Sequence, residues 1–292
     1  MLNTAVLGTG LLALDLVERI QNSPHLHCGL VVGRSPDSIG LSKAAAMGCA
    51  TAAGSITALA DSEETFDIVF DVTNAVAHPE HSARLAGTGS TVINLTPSNI
   101  GTLIVPAVNG DQAAAHRHIS LASCGGQTSI PVLHTIAQHY ATLHVEMVAT
   151  AATRSVGRAS RLNLDEYIET TQYAIQQFTE ADTVKTMLNI SPASPPPRFR
   201  SAMTILAPGA EPEPVRKLVK SAAETMRSFV PGFHVASCAV TNDTIRVAVE
   251  VTATRTNMPV HAGNLEVISA AAIHTAEQHA LARPSAMKEN AR

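Results

Sequence analysis

The sequence lacks a long apolar run. No stretch reaches the ~18–20 residues that a membrane span needs, which argues against a membrane partner. It also lacks a basic stripe: 20 Lys and Arg stand against 24 Asp and Glu, for a net charge of −4, so nucleic acid is a poor fit as partner. Cysteine is scarce. Cys28, Cys49, Cys124 and Cys238 are the four present; none pairs with another at metal-ligand spacing, and four are too few for a disulfide scaffold in 292 residues. The 13 histidines are scattered and form no His-Glu-x-x-His helix, so no metal site is expected. The N-terminal residues show neither a basic stretch nor a long apolar one. A secretory signal is therefore not expected, and a reducing, cytoplasmic setting is.

What is present points to an α/β protein. Hydrophobic residues make up 45% of the chain, enough for a packed core, and the length suits two domains. The first half alternates short apolar runs with helical patterns. Strands are predicted at Leu2–Leu7, Cys28–Val32, Phe66–Phe70, Thr91–Leu95 and Ile119–Ala122. Helices are predicted at Leu11–Gln21, Ser38–Met47 and around Pro79–Ala86. Such alternation implies a Rossmann-type, doubly wound parallel sheet. Beyond Cys124 the spacing changes. Helices are predicted at Gly126–Tyr140, Asp165–Phe178, Glu213–Phe229 and Asn264–Leu281. Strands are predicted at Ala141–Ala152, Met203–Leu206, Phe233–Val240 and Thr244–Thr254, with a turn at Asn242-Asp243 and a proline-rich loop at Ser191–Pro197. This half reads as a second α/β domain with a mixed or antiparallel sheet.

The strand Leu2–Leu7 runs into Gly8-Thr9-Gly10-Leu11-Leu12-Ala13 and then a helix, the Gly-x-Gly-x-x-Ala form of a dinucleotide fingerprint. Gly8 permits the tight turn, Gly10 lets backbone approach a pyrophosphate, and Ala13 lets helix and strand pack closely. A ribose-reading acid is expected after the second strand, but the chain has Arg34 and Ser35 there, with Asp37 beyond. A guanidinium and a hydroxyl suit a 2′-phosphate, so NADP is expected over NAD.

Cys124-Gly125-Gly126-Gln127 follows a strand and opens a helix. At a helix N-terminus the macrodipole favours thiolate, so a lowered thiol pKa is expected, and neighbouring N–H groups can stabilise an oxyanion. The other reading of a lone cysteine is a buried structural one. The segment Cys124–Gln127 with Ile130-Pro131 resembles the catalytic signature of acylating acetaldehyde dehydrogenases. Further segments match in order: Phe70-Asp71-Val72-Thr73, Asn94-Leu95-Thr96-Pro97, Ile100-Gly101, Val105-Pro106, Val108-Asn109, Asn163-x-Asp165-Glu166, Thr170-Thr171 and Ala262-Gly263-Asn264-Leu265.

The resemblance spans residues 4 to 280, and its implications are specific. Cys124 would be the nucleophile, forming a thioacyl intermediate that coenzyme A, or an acyl carrier protein, resolves. The nicotinamide cofactor would meet Gly8, Thr9, Gly10, Leu11, Leu12, Thr73 and Gly125, with Ser155, Val156, Gly157 and Asn264 beside the ring. The chain would be a homo-oligomer. Departures also stand out. Where the family has Ser-Ala-Gly-Pro-Gly-Thr-Arg, this chain has Ser155-Val156-Gly157-Arg158-Ala159-Ser160-Arg161. The family's Asp near the cysteine is Ser201, and its Tyr before Ala-Gly-Asn is His261, an imidazole able to stand in as acid–base. The loop at Ala239–Ile245 is shorter than the family's. Members of the family usually work with a 4-hydroxy-2-oxovalerate aldolase. These departures weaken that partnership and predict a stand-alone enzyme acting on an acyl group larger than acetyl.

The expected organisation is a dinucleotide-binding domain at 1–125, completed by a C-terminal helix at 263–281, a catalytic and oligomerisation domain at 126–262, and a frayed tail at 282–292. Two other functions compete. A phosphorylating semialdehyde dehydrogenase shares the architecture but not the Cys124–Gln127 pattern. A non-catalytic nicotinamide-binding scaffold would account for Ser201 but has no use for Cys124.

Overall fold

The computed structural model of the chain describes residues 1–255 and 258–282; most of the tail expected to fray lies outside them. The first half runs β1 (Leu2–Leu7), α1 (Leu11–Gln21), β2 (Leu26–Gly33), α2 (Ile39–Ala46), β3 (Ala50–Ala53) and α3 (Ser55–Ala60). It continues β4 (Ile68–Asp71), α4 (His78–Leu85), β5 (Thr91–Asn94), β6 (Thr102–Ile104), α5 (Pro106–Asn109) and β7 (His118–Leu121). These strands form a seven-stranded parallel sheet in the order β3-β2-β1-β4-β5-β7-β6. Its central strands are buried on both faces, which is why they read as unbroken apolar runs. Along β1, Val6 packs into one core with Leu16 and Ile20 of α1. Its neighbours Ala5 and Leu7 pack into another with Ile56, Leu59 and Leu85 on the opposite face.

The second half runs α6 (Cys124–Ala137), β8 (His144–Ala152), α7 (Arg158–Leu162), α8 (Leu164–Thr179), β9 (Thr183–Ser191), β10 (Phe199–Leu206), α9 (Pro212–Arg227), β11 (Phe233–Thr241), β12 (Thr244–Val251) and α10 (Gly263–Ala282). Its five-stranded sheet has the order β11-β12-β10-β8-β9, antiparallel except for the β8–β9 pair, and is therefore mixed. Along β8, Val145, Met147, Ala149 and Ala151 are buried and join a core with residues of α6, α8 and α9, while the alternate residues stay part-exposed. Helices thus cover one face of this sheet.

Three strands, β3, β6 and β9, are absent from the sequence reading, and all three are sheet edges. An edge strand pairs on one side only and needs less apolar surface, so its pattern is weak. Helix α6 begins at Cys124 rather than Gly126, because Ser123 Oγ accepts the Gly126 N–H at 3.1 Å and caps it there. Strand β10 begins at Phe199, four residues before the expected Met203. The Asn242-Asp243 turn is as expected: both residues have positive φ, 48° and 62°, the geometry of a two-residue type I′ hairpin.

Helix α10 is buried on most sides. Ile268, Ala271 and Ala272 belong to the core of the parallel sheet, and Val267 and Ala270 to that of the mixed sheet. An ion network fastens it to α1. Arg19 meets Asp15 at 2.8 Å and Glu266 at 2.9 Å, while Arg255 meets Glu18 at 2.6 Å.

At the end of β4, buried Asp71 accepts hydrogen bonds from Nδ1 of both His78 and His81, each at 2.8 Å, and from the Thr73 hydroxyl at 2.6 Å. Burial alone would raise its pKa, but these three hydrogen bonds outweigh it and hold the carboxyl far below the usual carboxylate range. A depressed folded-state pKa stabilises the fold above the unfolded carboxylate value, and that stability drains away as the pH falls below it. Acid unfolding monitored by circular dichroism should therefore begin at lower pH in the wild type than in Asp71→Asn. At neutral pH the variant should lose about 2 kcal/mol, because an amide nitrogen would face histidine donors.

Candidate active site

The dinucleotide fingerprint folds as the spacing requires. Gly8 has φ +135°, and a Cβ there would lie 2.7 Å from the Val72 side chain, so only glycine fits. Gly10 sits at the N-cap of α1, where no side chain caps the helix, and the space above it is open. The first N–H groups of α1 thus have no side-chain cap, the arrangement that suits a phosphate. Thr9 is bonded through its hydroxyl to Ser38 at 3.0 Å. Leu11 is exposed and Leu12 part-buried. Arg34 and Ser35 are exposed just beyond β2, and the Ser35 hydroxyl accepts the Asp37 N–H at 3.4 Å. Thr73 is part-buried, its hydroxyl committed to Asp71.

Cys124 is the first residue of α6 and is part-exposed. Its thiol does not behave as the helix position predicts. Protein packs closely enough around the sulfur that burial pushes its pKa up to about 11. The Tyr167 hydroxyl and the N–H groups of Gly125 and Cys124 favour the thiolate but offset only part of that. Burial thus favours the protonated thiol, with three donors arranged around the sulfur.

Tyr167, on α8, was not among the residues picked out by sequence. Its side chain is buried, and its hydroxyl lies 3.8 Å from the Cys124 sulfur. The helical spacing of Tyr167 and Thr171 was the available signal, since both face α6. The Thr171 hydroxyl bonds Ser123 Oγ at 2.6 Å. Across α8, Glu166, Glu169 and Thr170 line a cleft of about 250 Å³ with Ala75, Val76 and Pro97 of the first domain.

Asn264 is the second residue of α10 and donates its amide to the Ser155 carbonyl at 3.0 Å, while its buried Oδ1 has no hydrogen-bond partner among the described residues. Ser155 and Val156 are buried and Gly157 is exposed. Arg161 donates to the carbonyls of Thr153 and Val156, which pins this segment from the side. The structure therefore joins Asn264 to the Ser155 segment. The side chain hydrogen-bonded to the sulfur is Tyr167. Ser201 is fully buried on β10, opposite Ala149, and its hydroxyl and the buried Nε2 of His261 have no hydrogen-bond partner among the described residues.

The sequence matches the family described as prokaryotic acetaldehyde dehydrogenase, dimerisation, over residues 124–259. It is 45% identical over 280 residues to the acetaldehyde dehydrogenase of Streptomyces griseus, covering 96% of this chain and 90% of that one. The chain belongs to the acetaldehyde dehydrogenase family. It is 36% identical to the acetaldehyde dehydrogenase of Burkholderia thailandensis, over 96% of this chain and 95% of the relative. The relative in Salinispora arenicola named acetaldehyde dehydrogenase 2 is also 36% identical, with 94% and 95% covered. Among solved structures, aspartate semialdehyde dehydrogenase II of Vibrio cholerae superposes with a TM-score of 0.66, covering 95% of this chain and 98% of that one. At 12% identity it shows the shared fold alone. Membership of this family makes the chain an aldehyde-oxidising oxidoreductase with a nicotinamide cofactor, and leaves the phosphorylating semialdehyde reading less favoured.

Proposed function

We propose that this family member is an acylating aldehyde dehydrogenase, interconverting an aldehyde with a thioester of coenzyme A, or of an acyl carrier protein, through a thioacyl intermediate on Cys124. The observation that carries this reading is the Cys124 sulfur at the start of α6, met by two N–H groups and a hydroxyl. The residues present fit a dinucleotide: the uncapped N-terminus of α1 suits a pyrophosphate, and the orphaned Asn264 Oδ1 suits a carboxamide donor. Gly8, Thr9, Gly10, Leu11, Leu12 and Thr73 would hold the dinucleotide, and Gly125, Ser155, Val156, Gly157 and Asn264 would border its ring. When bound, the nicotinamide supplies hydride acceptance or donation.

The chain's own residues carry the remaining chemistry. The Cys124 thiol, part-exposed, gives its proton to solvent, and the thiolate adds to the carbonyl carbon, forming a C–S bond and leaving charge on oxygen, which N–H groups at the helix start can stabilise. Once oxidised, the acyl group is a thioester on sulfur. An incoming thiol attacks its carbonyl carbon and the Cys124 thiolate departs, so one difficult exchange becomes two easier ones. His261, with its unpartnered Nε2, is our candidate to take the incoming thiol's proton, and the Ser201 hydroxyl to support it.

Arg34 and Ser35 support NADP(H) as the preferred cofactor. Arg34→Ala should weaken NADP(H) about tenfold and leave NADH binding unchanged, by fluorescence titration. A clear NAD(H) preference in the wild type would overturn that assignment. The family region at 124–259 is described by its dimerisation, and the mixed sheet has a face its own helices leave uncovered, so we propose a homo-oligomer built on that face. We place the chain in the cytoplasm, because a nucleophilic thiol has to be kept reduced. No helix among the described residues is long and apolar enough to cross a membrane.

The shortened hairpin is the weakest of the three departures that favour a larger substrate and disfavour an aldolase partner. Its turn pairs with Leu206, five residues along β10 from Ser201, or ~17 Å at ~3.4 Å per residue. A loop there does not wall the Ser201 end of the sheet. A short aldehyde, as in the relatives' names, is the proposed substrate. The deciding assay follows NADPH and NADH oxidation with acyl-coenzyme A thioesters of increasing chain length. Turnover with none of them would remove the acylating reading.

A further inference from the structure

Three observations converge on Tyr167. Its hydroxyl is 3.8 Å from the Cys124 sulfur, and it is the one titratable side chain acting on that sulfur among the described residues. The room for it exists because residue 125 is glycine: a Cβ there would lie 2.4 Å from the Tyr167 hydroxyl oxygen. The surrounding hydroxyls also direct its proton. Ser123 lies within hydrogen-bonding reach of Tyr167 and bonds Thr171 at 2.6 Å, and Thr171 also reaches the Tyr167 carbonyl. If Thr171 donates to Ser123, Ser123 donates to the phenol oxygen. If Thr171 donates to the carbonyl, Ser123 donates to Thr171. In the first arrangement Ser123 leaves the phenolic O–H to the sulfur, and in the second the phenol can donate to the sulfur or to Ser123 Oγ.

We propose that Tyr167 is a catalytic residue of this site, its phenolic O–H donating to Cys124 Sγ and stabilising the thiolate both when it attacks the aldehyde and when it leaves the thioester. The proposal rests on Cys124 being the nucleophile. Tyr167 works as a donor and not as a base, since burial, followed by the charge of a Cys124 thiolate, keeps the phenol protonated well above the ordinary tyrosine value. No proton leaves it during the cycle. Its hydrogen bond strengthens as negative charge gathers on sulfur and weakens as the C–S bond forms. A donor held in a desolvated site costs little reorganisation at the moment of reaction.

The test is the pH dependence of thiol alkylation by iodoacetamide on the whole protein, with kcat and cofactor binding measured alongside. In Tyr167→Phe the alkylation midpoint should move to higher pH. The alkylation rate at fixed neutral pH and kcat should each fall roughly 10- to 100-fold, the range for a hydrogen bond to a charged group, with the cofactor Kd unchanged. Phenylalanine fills the same space. Should that variant fail to fold, 3,5-difluorotyrosine at position 167 keeps the shape, makes a stronger donor and should lower the midpoint instead. An unmoved midpoint in whichever of these folds, with Cys124→Ala inactive, overturns the role of Tyr167 alone. Full activity in Cys124→Ala overturns the nucleophile itself.

Discussion

Cys124→Ala is expected to lower kcat by roughly four to six orders of magnitude while leaving the fold and the cofactor Kd intact, since removing a nucleophile abolishes the covalent route outright. The side chain sits at the first turn of α6, and the capping bond that starts this helix comes from Ser123, not from the cysteine. Alanine is a good helix former and removes one sulfur from a part-exposed position, so stability should change little. Steady-state turnover with a short acyl-coenzyme A, paired with a fluorescence titration of NADPH, separates the two effects. A variant retaining a tenth of wild-type kcat would show that another group carries the acyl transfer. The wild-type thiol should be alkylated slowly at neutral pH, because burial pushes its pKa up to about 11.

Arg19→Ala should cost about 3–5 kcal/mol, the second large effect. The Asp15 and Glu266 side chains are each 2% exposed, and Arg19 meets both. Removing the guanidinium leaves the buried Glu266 without an ion-pair partner among the described residues and Asp15 with only the more distant Arg255, a much larger penalty than losing a surface ion pair. Arg255 approaches Asp15 no closer than 3.9 Å and cannot replace it. Urea unfolding followed by circular dichroism should show a lower midpoint with an unchanged m-value. Because Glu266 is on α10 and Asp15 on α1, the loss should loosen the C-terminal helix from the cofactor domain and weaken dinucleotide binding through Asn264. A midpoint shift of under 1 kcal/mol would mean that the carboxylates are solvated or protonated once the arginine is gone.

By itself the sequence determined the local and repetitive features. Apolar runs such as Leu2–Leu7 and Thr91–Asn94 marked central strands because both faces of a parallel sheet are buried. Gly8 and Gly10 marked the turn before α1, and Asn242-Asp243 marked a hairpin whose two residues both take positive φ. The ordered motifs around Cys124 revealed the family because they span most of the chain. Tertiary structure alone decided the rest. The edge strands β3, β6 and β9 owe their conformation to a neighbour's backbone, which no local pattern records. The state of the Cys124 thiol depends on a contest between burial and the helix start, and only the packing around it shows that burial prevails. Tyr167 is 43 residues from Cys124 in sequence, and its hydroxyl meets the sulfur only because α8 packs on α6 across a glycine. Sequence spacing specifies contacts within a turn or a strand, where backbone geometry is fixed. Contacts between elements depend on how whole faces pack together, and the chemistry of this site is built from such contacts.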